Sequence, residues 1–133
     1  MGKEDKRIIL HVDSEDGIRM LMKQIFLKHG VQEGDVVSVQ SADEAREQLD
    51  QFSEDAMPQL LVFRFGPTPE EDKAFLSSLR AQNSRYADIR LILIDEYDSY
   101  ETKRFCERYH VDAFMTLEDV PQQLGSQIEQ LLG

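Results

Sequence analysis

The sequence predicts an α/β domain: five parallel strands in one doubly wound sheet with helices on both faces, a three-layer (βα)5 architecture. Two observations carry the prediction. Strand-length apolar runs alternate with helix-period patterns from one end of the chain to the other. The main runs, RIILHV, QLLVFRF and RLILI, hold several apolar residues in succession, as strands buried on both faces do. Right-handed crossovers then place helices on both sides of the sheet. No repeat, low-complexity tract or linker interrupts the pattern, so residues 1–133 read as one domain with its core in about 7–132.

The elements follow in order. RIILHV (7–12) is the first strand. Ile18, Leu21, Met22 and Ile25 recur at helical spacing behind it, and Gly30 stands where a helix C-terminal glycine belongs. VVSVQ (36–40) is a short second strand. Ser41 with Glu44 forms a capping box for a helix with Ala42, Ala45, Leu49 and Phe52 inward. QLLVFRF (59–65) is the third strand. Thr68-Pro69-Glu70-Glu71 is a second capping box, with proline at the first helical position and Phe75, Leu76 and Leu79 facing the core. RLILI (90–94) is the fourth strand, and Asp98 or Ser99 caps a helix running to about Tyr109. DAFMT (112–116) is the fifth. The last helix starts near Asp119, with Pro121 in its first turn, buries Val120, Leu124, Ile128 and Leu131, and is weakened slightly by Gly125.

Composition narrows the function. The net charge is −11, and RFCERYH alternates its charges rather than forming a basic cluster. Such a surface repels nucleic acid and anionic lipid, so the expected partners are proteins. No apolar stretch approaches a membrane span. The MGKEDKR start has neither a signal-peptide core nor the Ser or Thr of a myristoylation signal. Cys106 is the one cysteine, so no internal disulfide forms, and it reads as a packing residue beside Phe105 and Tyr109. These features fit a cytoplasmic protein. Gly66-Pro67-Thr68 is too short for a phosphate-binding loop, and no catalytic constellation stands out, so no cofactor and no enzymatic activity are expected. His11 reads as a core residue. His29 and His110 sit near helix ends, where an imidazolium is mildly favourable.

In doubly wound sheets the functional crevice lies at the carboxyl ends of the strands. Asp13-Ser14-Glu15-Asp16 follow the first strand, Arg64 ends the third, Asp95-Glu96 end the fourth, and Thr116-Leu117 close the fifth. An arginine there stays charged and needs acceptors. Asp13 and Asp95 are the expected partners. At a wet strand mouth the loss of such a pair would cost ~1–2 kcal/mol.

The chain resembles, over nearly its whole length, the receiver domain of bacterial two-component response regulators. ILHVDSEDGIR is similar to the family's first-strand signature, PQLLVFR to the third-strand run that ends on the phosphoacceptor aspartate, IRLILIDE to the fourth strand, and VDAFMTLE to the fifth. The resemblance implies a flavodoxin-like (CheY-like) fold. It also assigns positions. Asp13 fills the first of two acidic metal positions, Ser14 the second, with Glu15 beside them. Arg64 occupies the phosphoacceptor position, Asp95 that of a hydroxyl residue, Leu117 that of a lysine, and Phe114 the aromatic switch position. Of the residues that carry the chemistry only Asp13 remains, so the resemblance implies a degenerate receiver pocket. It would have no catalytic residue and no metal, in a pseudo-receiver working as a phosphorylation-independent interaction module. Its partners would be signalling proteins such as a histidine kinase or another regulator. The resemblance also allows a homodimer, through the fourth helix, fifth strand and fifth helix. Two alternatives stay open: a receiver phosphorylated on another carboxylate, such as Asp13 or Asp95, and a small ligand-binding protein or enzyme on the same fold.

Overall fold

Five apolar runs become strands in the computed structural model, which describes residues 7–133: β1 (Ile9–Val12), β2 (Val36–Val39), β3 (Leu60–Arg64), β4 (Arg90–Asp95) and β5 (Ala113–Thr116). The helices between and after them are α1 (Asp16–Lys28), α2 (Ala42–Gln51), α3 (Pro69–Leu79), α4 (Tyr100–Arg108) and α5 (Val120–Leu132). All strand pairs are parallel, in the order β2-β1-β3-β4-β5. This is the doubly wound order whose switch point lies between β1 and β3. The readings of signal and myristoylation sequences rest on residues 1–6 and lie outside the described residues. Among the described residues no helix is long and apolar enough to cross a membrane.

Side chains alternate across the sheet and divide the core in two. Leu10, Val12, Leu61, Phe63, Leu91 and Leu93 pack under α2, α3 and α4. Ile9, Leu60, Val62, Ile92 and Ile94 pack under α1 and α5. Several details differ from the sequence expectations. Leu21 is 48% exposed, while Met22 and Phe26 are the buried residues of α1. At 3.6 residues per turn Leu21 falls roughly a quarter turn off the stripe through Ile18, Met22 and Phe26. Ser41 does cap α2, accepting from Glu44 N at 3.2 Å, but the Glu44 carboxylate reaches Gln40 N, one residue ahead of the cap. Ser99 rather than Asp98 caps α4. The Thr68 side chain makes no capping bond. The buried Asp72 ties that loop down instead, accepting from Gly66 N at 2.8 Å, and its burial raises its pKa. A 3-10 turn, Leu117–Asp119, precedes α5.

Gly125 has a packing role beside its cost to the helix. It is buried where α5 crosses α1, and a Cβ there would lie 2.1 Å from Nε2 of His29, the C-terminal cap of α1. His29 in turn pairs with Glu129 of α5. Alanine normally gains about 1 kcal/mol over glycine inside a helix. Here that gain is opposed by the displaced imidazole. Gly125→Ala is expected to destabilise the fold by about 1 kcal/mol, but to be neutral or stabilising in a His29→Ala background. Urea denaturation of the two singles and the double checks this, and additive effects would contradict it.

His11 is fully buried in β1. Its Nε2 lies 3.1 Å from Met22 Sδ, and Phe26 meets the ring edge-on. Sulfur only accepts, so this contact selects the Nε2–H tautomer and leaves Nδ1 as a bare lone pair without a partner among the described residues. Burial pushes the pKa down from 6.5 to about 4. Between those values the unfolded chain binds more protons than the folded one, so stability rises with pH across the window and falls as pH drops through it. Between pH 7 and pH 4.5 the His11 contribution to this loss is about 2–3 kcal/mol. His11→Leu is expected to flatten the stability profile over that range by this amount, measured by urea denaturation at both pH values.

Candidate functional site

The site is the mouth of the sheet, and the pleat decides what points into it. Val12 pairs with Phe63, so Asp13 and Arg64 are the next pair in the same register. Both alternate onto the α1–α5 side, in line with Ile9 and His11 on β1 and with Leu60 and Val62 on β3. Arg64 is 7% exposed and Asp13 1%. The guanidinium grips the carboxylate with two bonds: Nε donates to Asp13 Oδ2 at 2.7 Å and Nη2 to Oδ1 at 2.9 Å. Nη2 also donates to the exposed Glu15 carboxylate. The hydrogen bond to Asp13 raises the Arg64 pKa, against the opposing effect of burial.

Asp13 organises the loop in turn. Its Oδ1 also accepts from Glu15 N at 2.9 Å, its own N–H donates to Val39 O at 3.1 Å, and its carbonyl accepts from Arg19 Nη1 at 2.6 Å. Arg19 pairs with Asp16 as well. It belongs to this cluster although sequence reasoning gave it no role. The three-residue spacing from Asp16 was the available signal.

The expected pairing of Arg64 with Asp95 is not made. Arg64 is in register with Ile94, which lies on the α1–α5 side, so Asp95 alternates to the opposite face with Leu91 and Leu93. Its Oδ2 accepts from the Thr102 hydroxyl of α4 at 3.2 Å, and its Oδ1 accepts from Glu96 N at 2.7 Å. Glu15 takes the place assigned to Asp95. Of the remaining candidates, Ser14 is exposed at the mouth. Leu117 packs, partly buried, against the α1–α5 core cluster, and Phe114 is half-buried against the other. The Cys106 thiol is half-buried beside that second cluster, and burial pushes its pKa up to about 11, so it is a packing residue and a poor nucleophile.

Two clefts flank Arg64. One, of 130 Å³, lies between Ser14, Ser41 and Asp72. It is too small for a drug-sized ligand or a nucleotide. The other is lined by Glu15, Glu70, Asp95, Glu96 and Glu101, with Arg64 and Lys73 as its cations. A phosphoryl group entering it would meet net repulsion. The donor set does not fit a divalent cation either. Such ions need several oxygen ligands, whereas both Asp13 oxygens and the Glu15 carboxylate are held by the guanidinium. Among the described residues no group of three or more His, Cys, Asp or Glu is placed to hold a metal ion.

The Arg64–Asp13 pair is buried, not wet, so losing one partner costs more than the sequence suggested. Arg64→Met is expected to destabilise by about 3–5 kcal/mol. Arg64→Asp should cost more, since a third carboxylate joins Asp13 and Glu15. A chemical-denaturation cycle of Arg64→Met with Asp13→Asn should show a coupling above about 2 kcal/mol, whereas Arg64→Met with Asp95→Asn should be additive within about 0.5 kcal/mol. The reverse ranking would return Asp95 to the cluster.

Similar solved structures have this architecture. No family model matches the sequence, and no curated protein is a recognisable relative. A response regulator receiver protein from Pseudomonas putida is 21% identical, with a TM-score of 0.74 and 93% of each chain covered. A two-component response regulator from Legionella pneumophila is 15% identical, with a TM-score of 0.78 over 96% of this chain and 98% of that one. Chemotaxis protein CheY4 of Vibrio cholerae is 14% identical, with a TM-score of 0.77 over 95% of this chain and 98% of that one. At these identities the likeness establishes the fold: a five-stranded, flavodoxin-like α/β sandwich of the CheY type.

Proposed function

We propose that this chain is a degenerate response-regulator receiver domain. It acts as a phosphorylation-independent protein-interaction module in bacterial two-component signalling, in the cytoplasm and without enzymatic activity. Its partners are signalling proteins such as a histidine kinase or another regulator. The observation that carries the reading is Arg64, buried at the end of β3 and bound through two N–H groups to Asp13. Among the solved structures of this shape are response regulators and receiver domains, and the resemblance in sequence puts the phosphoacceptor at Arg64. A guanidinium is no nucleophile toward a phosphoryl group. Phosphoryl transfer on such a site needs a carboxylate and a hard cation held by oxygen ligands. Asp13 is engaged with Arg64 and Asp95 with Thr102, so neither is a free carboxylate. The lysine position is the apolar Leu117. The −11 charge favours protein partners over nucleic acid or anionic lipid.

Incubation with acetyl phosphate and Mg²⁺ is expected to leave the intact mass unchanged. Beryllofluoride should not perturb the amide spectrum, and millimolar Mg²⁺ should not raise the melting temperature. A one-phosphoryl mass increase that disappears in Asp13→Asn or Asp95→Asn would overturn the reading in favour of a receiver with a displaced acceptor.

A further inference from the structure

The α3 flank of α4 forms a groove of about 570 Å³ with a graded charge. Ala74, Phe105 and Tyr109 supply its apolar floor. Glu70 and Glu101, in the first turns of α3 and α4, stand at the end nearest the strand mouth. Lys73 follows, then Arg104 and Arg108 one turn apart on α4. Arg104 lies over the Tyr100 ring at 5.7 Å and Arg108 over the Tyr109 ring at 5.5 Å. Neither pairs with a carboxylate among the described residues, although the chain holds 26 acidic residues against 15 basic ones. Other described cations are taken up internally, Arg19 by Asp16, Lys23 by Glu33, Arg64 by Asp13, Arg80 by Asp112 and Lys103 by Asp98, and within the groove Lys73 stands 3.9 Å from Glu70. A guanidinium stacked on an aromatic face keeps its N–H edge available to an incoming carboxylate.

We propose that this groove docks a second copy of the chain about a two-fold axis. α4 of each copy lies antiparallel along the α3–α4 groove of the other. A two-fold contact presents the same surface from both sides, so it must be self-complementary. A groove acidic at one end and basic at the other meets that condition when reversed: Glu70 and Glu101 of each copy face Arg104 and Arg108 of the other. Tyr100, 73% exposed beside the rim, adds the kind of aromatic contact that dominates interfaces. The groove lies on the α3 side of α4, away from the edge strand β5. It therefore shares α4 with the pairing surface that the resemblance implied, but uses α3 in place of the fifth strand and fifth helix. The net charge of −11 on each copy opposes association. At about 0.15 M salt, charges beyond about 8 Å are largely screened, while contacting pairs are much less so. Helices of this length give a contact at the low end of interface size, so dimerisation is expected only at high concentration. The proposal is independent of whether the domain is phosphorylated.

Sedimentation velocity at about 0.15 M salt tests it, over roughly 10 to 500 µM protein. The wild type should pass from monomer to dimer. Glu101→Arg and Arg108→Glu, both checked for native circular dichroism, should each remain monomeric, because each places like charges across the axis. An equimolar mixture of the two variants should form a heterodimer, since the reversed charges then meet one another. A wild type that stays monomeric throughout would overturn the proposal. So would a dimer indifferent to both reversals, a mixture that stays monomeric, or assembly beyond the dimer.

Discussion

One buried cation sets the arrangement of the strand mouth. Arg64 cannot lose its proton and is 7% exposed where β3 ends, so acceptors have to come to it. Asp13 meets that demand with both oxygens, and doing so commits much of the neighbouring chain. The oxygen that binds Nη2 also receives Glu15 N, which fixes the turn into α1. Arg19, one turn into that helix, holds the Asp13 carbonyl. The β1–α1 loop, the end of β3 and the first turns of α1 are therefore one hydrogen-bonded unit. Its members lose stability together, because removing either charge leaves the other buried and unpaired.

The fold was legible because its signals are local and redundant. Apolar runs, helix periods and cap residues together point to the same ten elements, and the missing side-chain bond at the Thr68 cap changes no element: Asp72 anchors the same loop from four positions further on. Leu21 was misplaced because counting apolar residues at helical spacing does not locate the centre of the stripe. The packing role of Gly125 was not legible because propensity concerns the helix alone, whereas a Cβ there would meet an imidazole on another helix.

The candidate site was legible in its membership and less so in its pairing. Asp13, Glu15 and Arg64 do converge, and Asp95 stands at the mouth as expected. Proximity of strand ends alone does not fix the pairing, because the parity of the pleat decides which face each side chain takes. The parity was available: Asp95 shares its alternation with Leu91 and Leu93, and Arg64 shares its own with Leu60 and Val62. Parallel strands in register then send Arg64 and Asp95 to opposite faces. The energetic expectation failed for a related reason. A strand end reads as wet from sequence, but the Asp13–Arg64 pair lies beside the His11 and Met22 layer and is buried with it.

A tethered cation differs from a bound ion in what it permits. An exchangeable divalent ion leaves its site when its ligands or its concentration change, and a bound anion can shift the balance between two conformations by its preference for one of them. A guanidinium on the end of β3 does neither: its local concentration is fixed by the chain, and its charge does not vary over any working pH. The mouth is thus held in one electrostatic arrangement, with Glu15 as the exposed acceptor of Arg64. Any influence on it has to come from groups that compete for that carboxylate or for the Asp95 side of the cleft, where Thr102 and Glu96 N hold the carboxylate, and both line the cleft that a partner protein can reach. The buried half, Arg64 with Asp13, stays as scaffold.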